Sequence, residues 1–288
     1  MSDKDWEILV ILHEEGTITN AAKKLYISQP SLTYRIKQLE KYFKVKILHR
    51  GNKGVIFTSQ GELLVKYAKE MIAQLSHTRD QIINIDDEIK GVLKIGGSSN
   101  FALYQLPSIL EGFVEEYPNI EINLTTGWSS EILQMMQNEI FHLAILRGEN
   151  FWKGKSLVLN EENLCVVSQK PLNIDDLPHM NYIRYQTDTH LRSTFDTWWR
   201  NKFNVPPNVS MEVDRIETCK ELVKHGLGYS LIPSISLREE DELFTINLQN
   251  EGKDIKRKTW LLYREELLEL KMVNVLVEYI KNYYNRNV

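Results

Sequence analysis

Cysteine is scarce in this chain. Among 288 residues only Cys165 and Cys219 occur, 54 positions apart and in no CxxC or zinc-ligand spacing. That excludes a disulfide framework and a structural zinc, and it predicts a reducing compartment. No uncharged apolar run approaches the ~18 residues of a membrane helix. The start, Met1-Ser2-Asp3-Lys4-Asp5, lacks a basic stretch leading into an apolar one, so no secretory signal is expected. His13, His49, His77, His142, His179, His190 and His225 form no HExxH or other metal-ligand pattern. GxSxG, Walker A and strand-GxGxxG-helix patterns are missing, and Gly96-Gly97 is too little for a phosphate loop. No repeat or low-complexity tract is visible. These absences predict a cytoplasmic protein with no catalytic residue, metal or cofactor.

What is present is material for real cores. With 42% hydrophobic and 10% aromatic residues the chain is not disordered. At roughly 150 residues per domain, its length predicts about two domains. The formal net charge of -4 hides an asymmetry: residues 1–60 carry ten Lys+Arg against six Asp+Glu, and residues 61–288 carry 25 against 33. Between Gly16 and Lys53 there are nine basic residues and one acid, Glu40. Such clustering on an acidic body is a nucleic-acid footprint, although a charge run alone fits a solvated helical face equally well.

The motif beneath the charge decides between them. Asp5 to Glu14 has a helical apolar stripe through Ile8, Leu9 and Leu12, stopped by Gly16. Thr19-Asn20 can cap a short helix, Ala21-Ala22-Lys23-Lys24-Leu25. Ser28 is a good N-cap for a third helix to about Glu40, with Pro30 in its first turn and Leu32, Ile36 and Leu39 on one face. Pro30, Tyr34 and Lys37 point away from that face, flanked by Gln29 and Thr33. This is a helix-turn-helix. Ser28, Gln29, Pro30, Ser31, Thr33, Tyr34, Arg35 and Lys37 are its DNA-binding candidates; Gln29 suits adenine, and Thr33, Arg35 and Lys37 suit phosphates or base edges. Val45–His49 and Val55–Thr58 flank Gly51-Asn52-Lys53-Gly54, a hairpin whose Arg50 and Lys53 form a wing.

Ser59-Gln60-Gly61-Glu62 reads as a capping box opening a long helix. In it Leu64, Ala68, Met71, Leu75, Thr78, Ile82, Ile85 and Ile89 alternate spacings of four and three. That is a coiled-coil seam, so Leu64, Ala68, Met71, Leu75, Ile82 and Ile85 are dimerisation candidates; the alternative is a helix packed on its own domain. Thr17–Leu25, Ile27–Thr33, Ile36–Glu40, His49-Arg50 and Phe57–Gly61 together resemble the LysR-type transcriptional regulators. Two departures stand out: Leu48-His49-Arg50 where the family has Leu-Phe-x-Arg, and Tyr34 where Arg is frequent.

From Val92 strands and helices alternate. Strands are predicted at Val92–Gly96, Ile120–Thr126, Leu143–Leu146, Leu164–Ser168, Tyr229–Ile232 and Thr259–Tyr263. Helices are predicted from Ser98 to about Tyr117, through Gln137, and at Leu191–Phe203, Ile216–His225 and Leu267–Tyr284. Ile95-Gly96, Leu106-Pro107, Tyr117-Pro118, Leu143-Ala144-Ile145 and Gly226-Leu227-Gly228 with Ile232-Pro233 resemble the same family's effector-binding module. The resemblance implies an α/β module of two Rossmann-like lobes, periplasmic-binding-protein-like, behind an all-α winged helix-turn-helix and a long linker helix. Boundaries follow: 1–58 DNA-binding, 59–90 linker and dimerisation helix, 91–288 effector-binding. Lobe I takes about 91–160 and 265–288, and lobe II about 161–264.

An effector between the lobes would lie near strand carboxyl ends. Ser98, Ser99 and Asn100 sit where a strand opens into a helix and favour an anion. Thr126, Trp128 and Ser129 occupy the corresponding place on the next unit. Arg147 can pair a carboxylate bidentately, and Arg257 can approach from the crossover. Gly97-Ser98-Ser99, Arg147-Gly148, Thr218-Cys219-Lys220-Glu221 and Arg257 are similar to the citrate-responsive, catabolite control protein E type within the family. This implies a di- or tricarboxylate effector and adds Thr218 to the site. The family likeness further implies promoter DNA and RNA polymerase as partners, and a homodimer assembling to a tetramer. A metabolite-binding protein or enzyme on the binding-protein fold would explain 92–288 but not the basic module, and an architectural DNA binder without effector predicts a closed or filled cleft. Glu239-Glu240-Asp241-Glu242 reads as a solvated acidic loop, and both cysteines as buried apolar residues rather than a redox switch.

Overall fold

The computed structural model describes residues 3–51 and 54–286, without the Arg50 side chain. It divides into two compact units between residues 86 and 87.

The first unit begins with α1 (Asp3–Glu15), ended by Gly16 at φ 63°, a conformation glycine adopts without strain. Thr17, not Thr19-Asn20, caps α2 (Ile18–Lys24): its Oγ1 accepts the Asn20 N–H at 3.2 Å. Ser28 Oγ accepts from Ser31 N–H at 3.3 Å and opens α3 (Gln29–Phe43), with Pro30 in the first turn as expected. Lys44, at φ 55°, closes it. The hairpin β1 (Leu48–Gly51) and β2 (Gly54–Phe57) makes the module a winged one rather than all-α. Lys53 lies outside the described residues, as does the Arg50 side chain. The cap of α4 (Ser59–Asn84) is Thr58, whose Oγ1 accepts from Gly61 N–H at 3.0 Å. The Ser59–Glu62 box is not formed; Glu62 instead lies 3.1 Å from His13 Nε2. Gly61 is required because a Cβ there would collide with the Ile47 carbonyl.

The seam of α4 is partly spent inside its own unit. Ala68 is fully buried beside Trp6, Leu9, Leu39, Ile47 and Val65, with Leu64 and Met71 packed against that cluster. A helix lying on α1 therefore accounts for the first half of the spacing. The helix ends at Asn84, so Ile85 and Ile89 lie beyond it, and Ile82 and Ile85 are 61% and 79% exposed.

The second unit is a seven-stranded sheet continuing into a small parallel pair. β3 (Gly91–Ser98) leads into α5 (Ser99–Tyr104) and α6 (Leu106–Glu116), two helices where one was expected. The break falls at Gln105, whose φ/ψ of -124°/-38° is not helical. β4 (Ile120–Gly127), α7 (Ser129–Gln137) and β5 (Leu143–Arg147) follow, with β4 and β5 parallel to β3. β6 (Lys155–Ser168) is far longer than the predicted strand at Leu164–Ser168 and starts in lobe I. Lobe II adds β7 (Tyr182–Tyr185), α8 (Thr189–Lys202), β8 (Val209–Val213), α9 (Ile216–Lys224), β9 (Ser230–Pro233) and β10 (Phe244–Asn247). A two-residue ladder, β11 (Gln249–Asn250) with β12 (Lys253–Asp254), precedes β13 (Lys256–Tyr263). Finally α10 (Lys271–Arg286) returns to lobe I.

β6 pairs with β13 through its first part and with β9 and β10 through its last. β13 also pairs with β5 over Thr259–Tyr263, which places those residues in lobe I, not in lobe II as 161–264 would have it. Leu93, Ile95, Phe113, Leu143 and Leu276 fill one core, and Trp198, Trp199, Phe195 and Tyr229 another across the crossover. No helix among the described residues is long and apolar enough to cross a membrane.

Candidate functional site

Two places gather functional side chains, one in each unit. On α3, Leu32, Ile36 and Leu39 are buried in the unit's cores, so the opposite face is forced outward. Gln29, Pro30, Ser31, Tyr34 and Lys37 are all exposed there, Tyr34 at 62%. Gln29 Nε2 donates to Thr19 Oγ1 on α2, which fixes the amide at the head of the helix. Thr33 is half-buried beside this face. At about 100° per residue Arg35 falls on the far flank from Gln29. There its Nε lies 3.4 Å from the buried Asp5 carboxylate, so Arg35 braces α3 on α1 and does not share the Gln29 front. Glu40, the single acid of the basic stretch, is also structural: it accepts from Lys46 Nζ at 3.0 Å and Ile47 N–H at 3.1 Å. Partial burial works to raise its carboxyl, but these bonds outweigh that and hold it below the ordinary range. Tyr26, in the turn between α2 and α3, is 96% exposed at φ 54° and was not anticipated. Only its position in the turn could have singled it out.

The second place is a cavity of about 490 Å³ between the two lobes of the second unit. Ser98, Thr126 and Arg147 reach it from the carboxyl ends of β3, β4 and β5, and Tyr185 from that of β7. Ser99, Asn100, Trp128, Ser129 and Arg257 line it as well. Thr218 does not; it is exposed on α9, whose buried face carries Ile216, Cys219, Lys220 and Val223. Lobe II instead contributes Gln186, Thr187, Asp188, Asp214, Arg215, Ile216 and Glu217, none of which the sequence singled out. Tyr185 ends β7, a strand not among those expected from the sequence.

The electrostatics differ from an open anion site. Arg147 is 3% exposed and its guanidinium is ion-paired with Glu162 of β6, whose other oxygen accepts from Ile235 N–H at 2.9 Å. Arg257 donates to Asp188 at 2.6 Å and to the Arg147 carbonyl at 3.2 Å. Burial raises the Asp188 carboxyl, but Arg257 beside it and the Leu191 N–H hold it below its ordinary value. Burial first, and then the like charge of Arg257, weakens the hold of Arg147 on its proton. α5 has six residues, and the Ser98 side chain makes no capping hydrogen bond to it. What remains unpaired is Ser98 Oγ, Arg147 Nε and Tyr185 Oη, all buried and without a hydrogen-bond partner. Burial pushes the Tyr185 hydroxyl far up, so it is a neutral donor.

Elsewhere, Cys165 lies on β6 and Cys219 on α9, both buried, and burial pushes both thiols up to about 11. Asp241 is not solvated: it is buried, 2.7 Å from Lys220 Nζ and 3.5 Å from Lys224 Nζ.

Both parts of the chain match known families. A family model described as the bacterial regulatory helix-turn-helix protein, lysR family, matches residues 4–62, and the LysR substrate binding domain model matches 86–285. The chain is 43% identical to YraN of Bacillus subtilis (strain 168), an uncharacterized HTH-type transcriptional regulator, over 98% of both chains. It is 36% identical to YkuM of the same organism, across 98% of this chain and 97% of that one. In fold it is similar to full-length AphB, a Vibrio cholerae virulence activator, with a TM-score of 0.64 at 17% identity over 99% and 100% of the two chains. CbnR complexed with its target DNA gives 0.67 at 17% identity over 98% and 99%.

Proposed function

Since the chain belongs to the LysR family, DNA-binding transcriptional regulators and not enzymes, we propose that α3 reads promoter DNA under control of a small molecule held in the inter-lobe cleft. The observation that carries this is the pairing of an exposed Gln29–Tyr34–Lys37 front with a polar cavity lined from both lobes. Gln29 takes a base edge, Tyr34 and Lys37 the adjoining bases and phosphates, and Arg50 and Lys53 the backbone at the wing. Two such modules, brought together by the exposed end of α4 around Ile82, bind an interrupted palindrome in the cytoplasm. Dimers pair to a tetramer that meets RNA polymerase.

The effector carries a carboxylate, citrate being the candidate that the sequence likeness brings. Its support is the set of unpaired buried donors on one side of the cleft, Ser98 Oγ and Arg147 Nε. An effector controls DNA binding only insofar as it favours one arrangement over another. The test is a titration of promoter DNA with and without carboxylates. A saturable change in affinity that Ser98→Ala abolishes supports the reading; DNA binding indifferent to every ligand that enters the cleft refutes it.

A further inference from the structure

Lobe II holds a second hollow, of about 640 Å³, which shares no lining residue with the inter-lobe cleft. Side chains alternate along β7, so Tyr185 lines the cleft while Arg184, one residue earlier, lines this hollow. On α8 the helical period brings Arg192, Asp196, Trp199 and Arg200 to it on one side. The chain beyond α8 closes it. Trp199 Nε1 donates to the Val205 carbonyl at 2.7 Å, and the Phe203 ring packs on that of Trp199 with centroids 4.4 Å apart. Phe203, Val205 and Pro206 thereby form an apolar wall.

Three guanidinium groups line the hollow against one carboxylate, Asp196. Arg192 makes a single ion pair, 4.0 Å from the exposed Glu212. Arg200 donates to the Asp196 carbonyl at 3.2 Å and to Thr197 Oγ1 at 3.4 Å, both on its own helix. Counting Glu212 still leaves an excess of cations, in a stretch, residues 61–288, that carries 25 basic residues against 33 acidic. Exposed arginines tolerate this in water, so the weight falls on Arg184. It is half-buried, its Nε is enclosed without a hydrogen-bond partner, and it has no ion pair among the described residues. The Tyr182 ring, 6.0 Å away at its centre, supplies no acceptor for that N–H. Arg147 and Arg257 have buried carboxylates of their own chain beside them, and Arg184 has none.

Independently of what the cleft holds, we propose that this hollow is a second ligand site, for a phosphate monoester carried on a flat apolar body, the chemistry of a nucleoside monophosphate. Guanidinium forks match phosphate oxygens in geometry. A monoester brings a charge of about -1.5 to -2 at neutral pH, which offsets the excess of cations, whereas a monocarboxylate leaves part of it standing. The flat body lies along Phe203, Val205 and Pro206 and removes that wall from water. The volume is within the ordinary span of small-molecule sites, about 300–1,000 Å³. A bare phosphate ion uses only the charged half.

Isothermal titration of the full chain with adenosine monophosphate, phenyl phosphate, adenosine and inorganic phosphate tests this on wild type, Arg184→Gln, Arg200→Gln and Ser98→Ala. The expected result is saturable binding of at least one monoester, weakened tenfold or more by Arg184→Gln, by a smaller factor in Arg200→Gln, and unchanged in Ser98→Ala. Adenosine does not bind, and inorganic phosphate binds at least tenfold more weakly than the monoester. Arg200 is exposed on α8, so its substitution decides the matter should Arg184→Gln not fold. Failure of both monoesters to bind overturns the site. Binding that neither arginine substitution weakens overturns it too, and a loss in Ser98→Ala instead would put the monoester in the inter-lobe cleft. Inorganic phosphate as tight as the monoesters, or adenosine as tight as its monophosphate, overturns the pairing of a charged half with an apolar one.

Discussion

In the first unit Lys37 and Tyr34 stand on the exposed front of α3, and Lys37 has no ion partner among the described residues. In the second, Arg147 and Arg257 are buried against Glu162 and Asp188. Both sets were expected to meet an anion, and counting charges does not separate them. Solvent does. A cation in water costs nothing to leave unpaired and stays available to a phosphate, while a buried one must bring its own anion. A basic residue on a helix front is thus a binding group in waiting, and one at the end of a buried strand is first a structural group.

The sharpest way to break this comparison is to delete the anion behind the buried cation and the exposed groups of the helix front. Glu162→Ala leaves Arg147 buried and uncompensated and should destabilise the second unit by about 3–5 kcal/mol in denaturant unfolding. A loss as small as that of a surface change would mean the pair is not buried in solution. Gln29→Ala should cost about 1–3 kcal/mol of discrimination for the promoter site over unrelated duplex. An equal loss on both sequences would make Gln29 a backbone contact. Lys37→Ala should reduce the slope of log affinity against log salt by about 0.9 while leaving stability within about 0.5 kcal/mol. A stability loss of several times that size would place Lys37 among the structural cations.

Acid titration sharpens the same contrast. Asp188 and Asp241 have carboxyls held below their ordinary values by Arg257 and Lys220 against the effect of burial. Their contribution is complete above the unfolded-chain value of about 3.9 and is lost as pH falls through the lower folded value. Asp188→Asn should therefore flatten the acid limb of the stability curve below about pH 4, whereas Lys37→Ala should leave that limb unchanged. The smallest effect concerns the thiols. Because burial pushes Cys165 and Cys219 up to about 11, both stay protonated at neutral pH. Alkylation should follow unfolding of the chain, and rapid labelling of the native protein would contradict their burial.

What was legible in the sequence was whatever short range decides. Ser28 and Pro30 mark the start of α3, the Leu32–Ile36–Leu39 spacing turns its front outward, and Ser98, Thr126 and Arg147 follow from strand ends. Partnerships between distant residues were not legible. Glu162 stands on a stretch of β6 that precedes the strand expected at Leu164–Ser168, and Asp188 meets Arg257 across 69 positions. The α4 seam has two readings for a related reason: spacing of fours and threes reports a buried stripe without naming what buries it, and Ala68 is already buried within its own unit beside Trp6 and Leu9 of α1. Thr218 entered through likeness to a subgroup alone, and the helical period of α9 turns it away from the cavity.

The two lobes are joined by β6 and β13, which run from one into the other as a hydrogen-bonded ribbon whose register slips between Thr259 and Trp260. Mechanically this is a torsion bar rather than a pair of free tethers. The lobes can twist about the ribbon and flex along it, but they cannot part without unzipping a ladder. Any reshaping of the cleft therefore turns about this shared ribbon, in which Thr259 and its neighbours belong to both lobes' backbone at once.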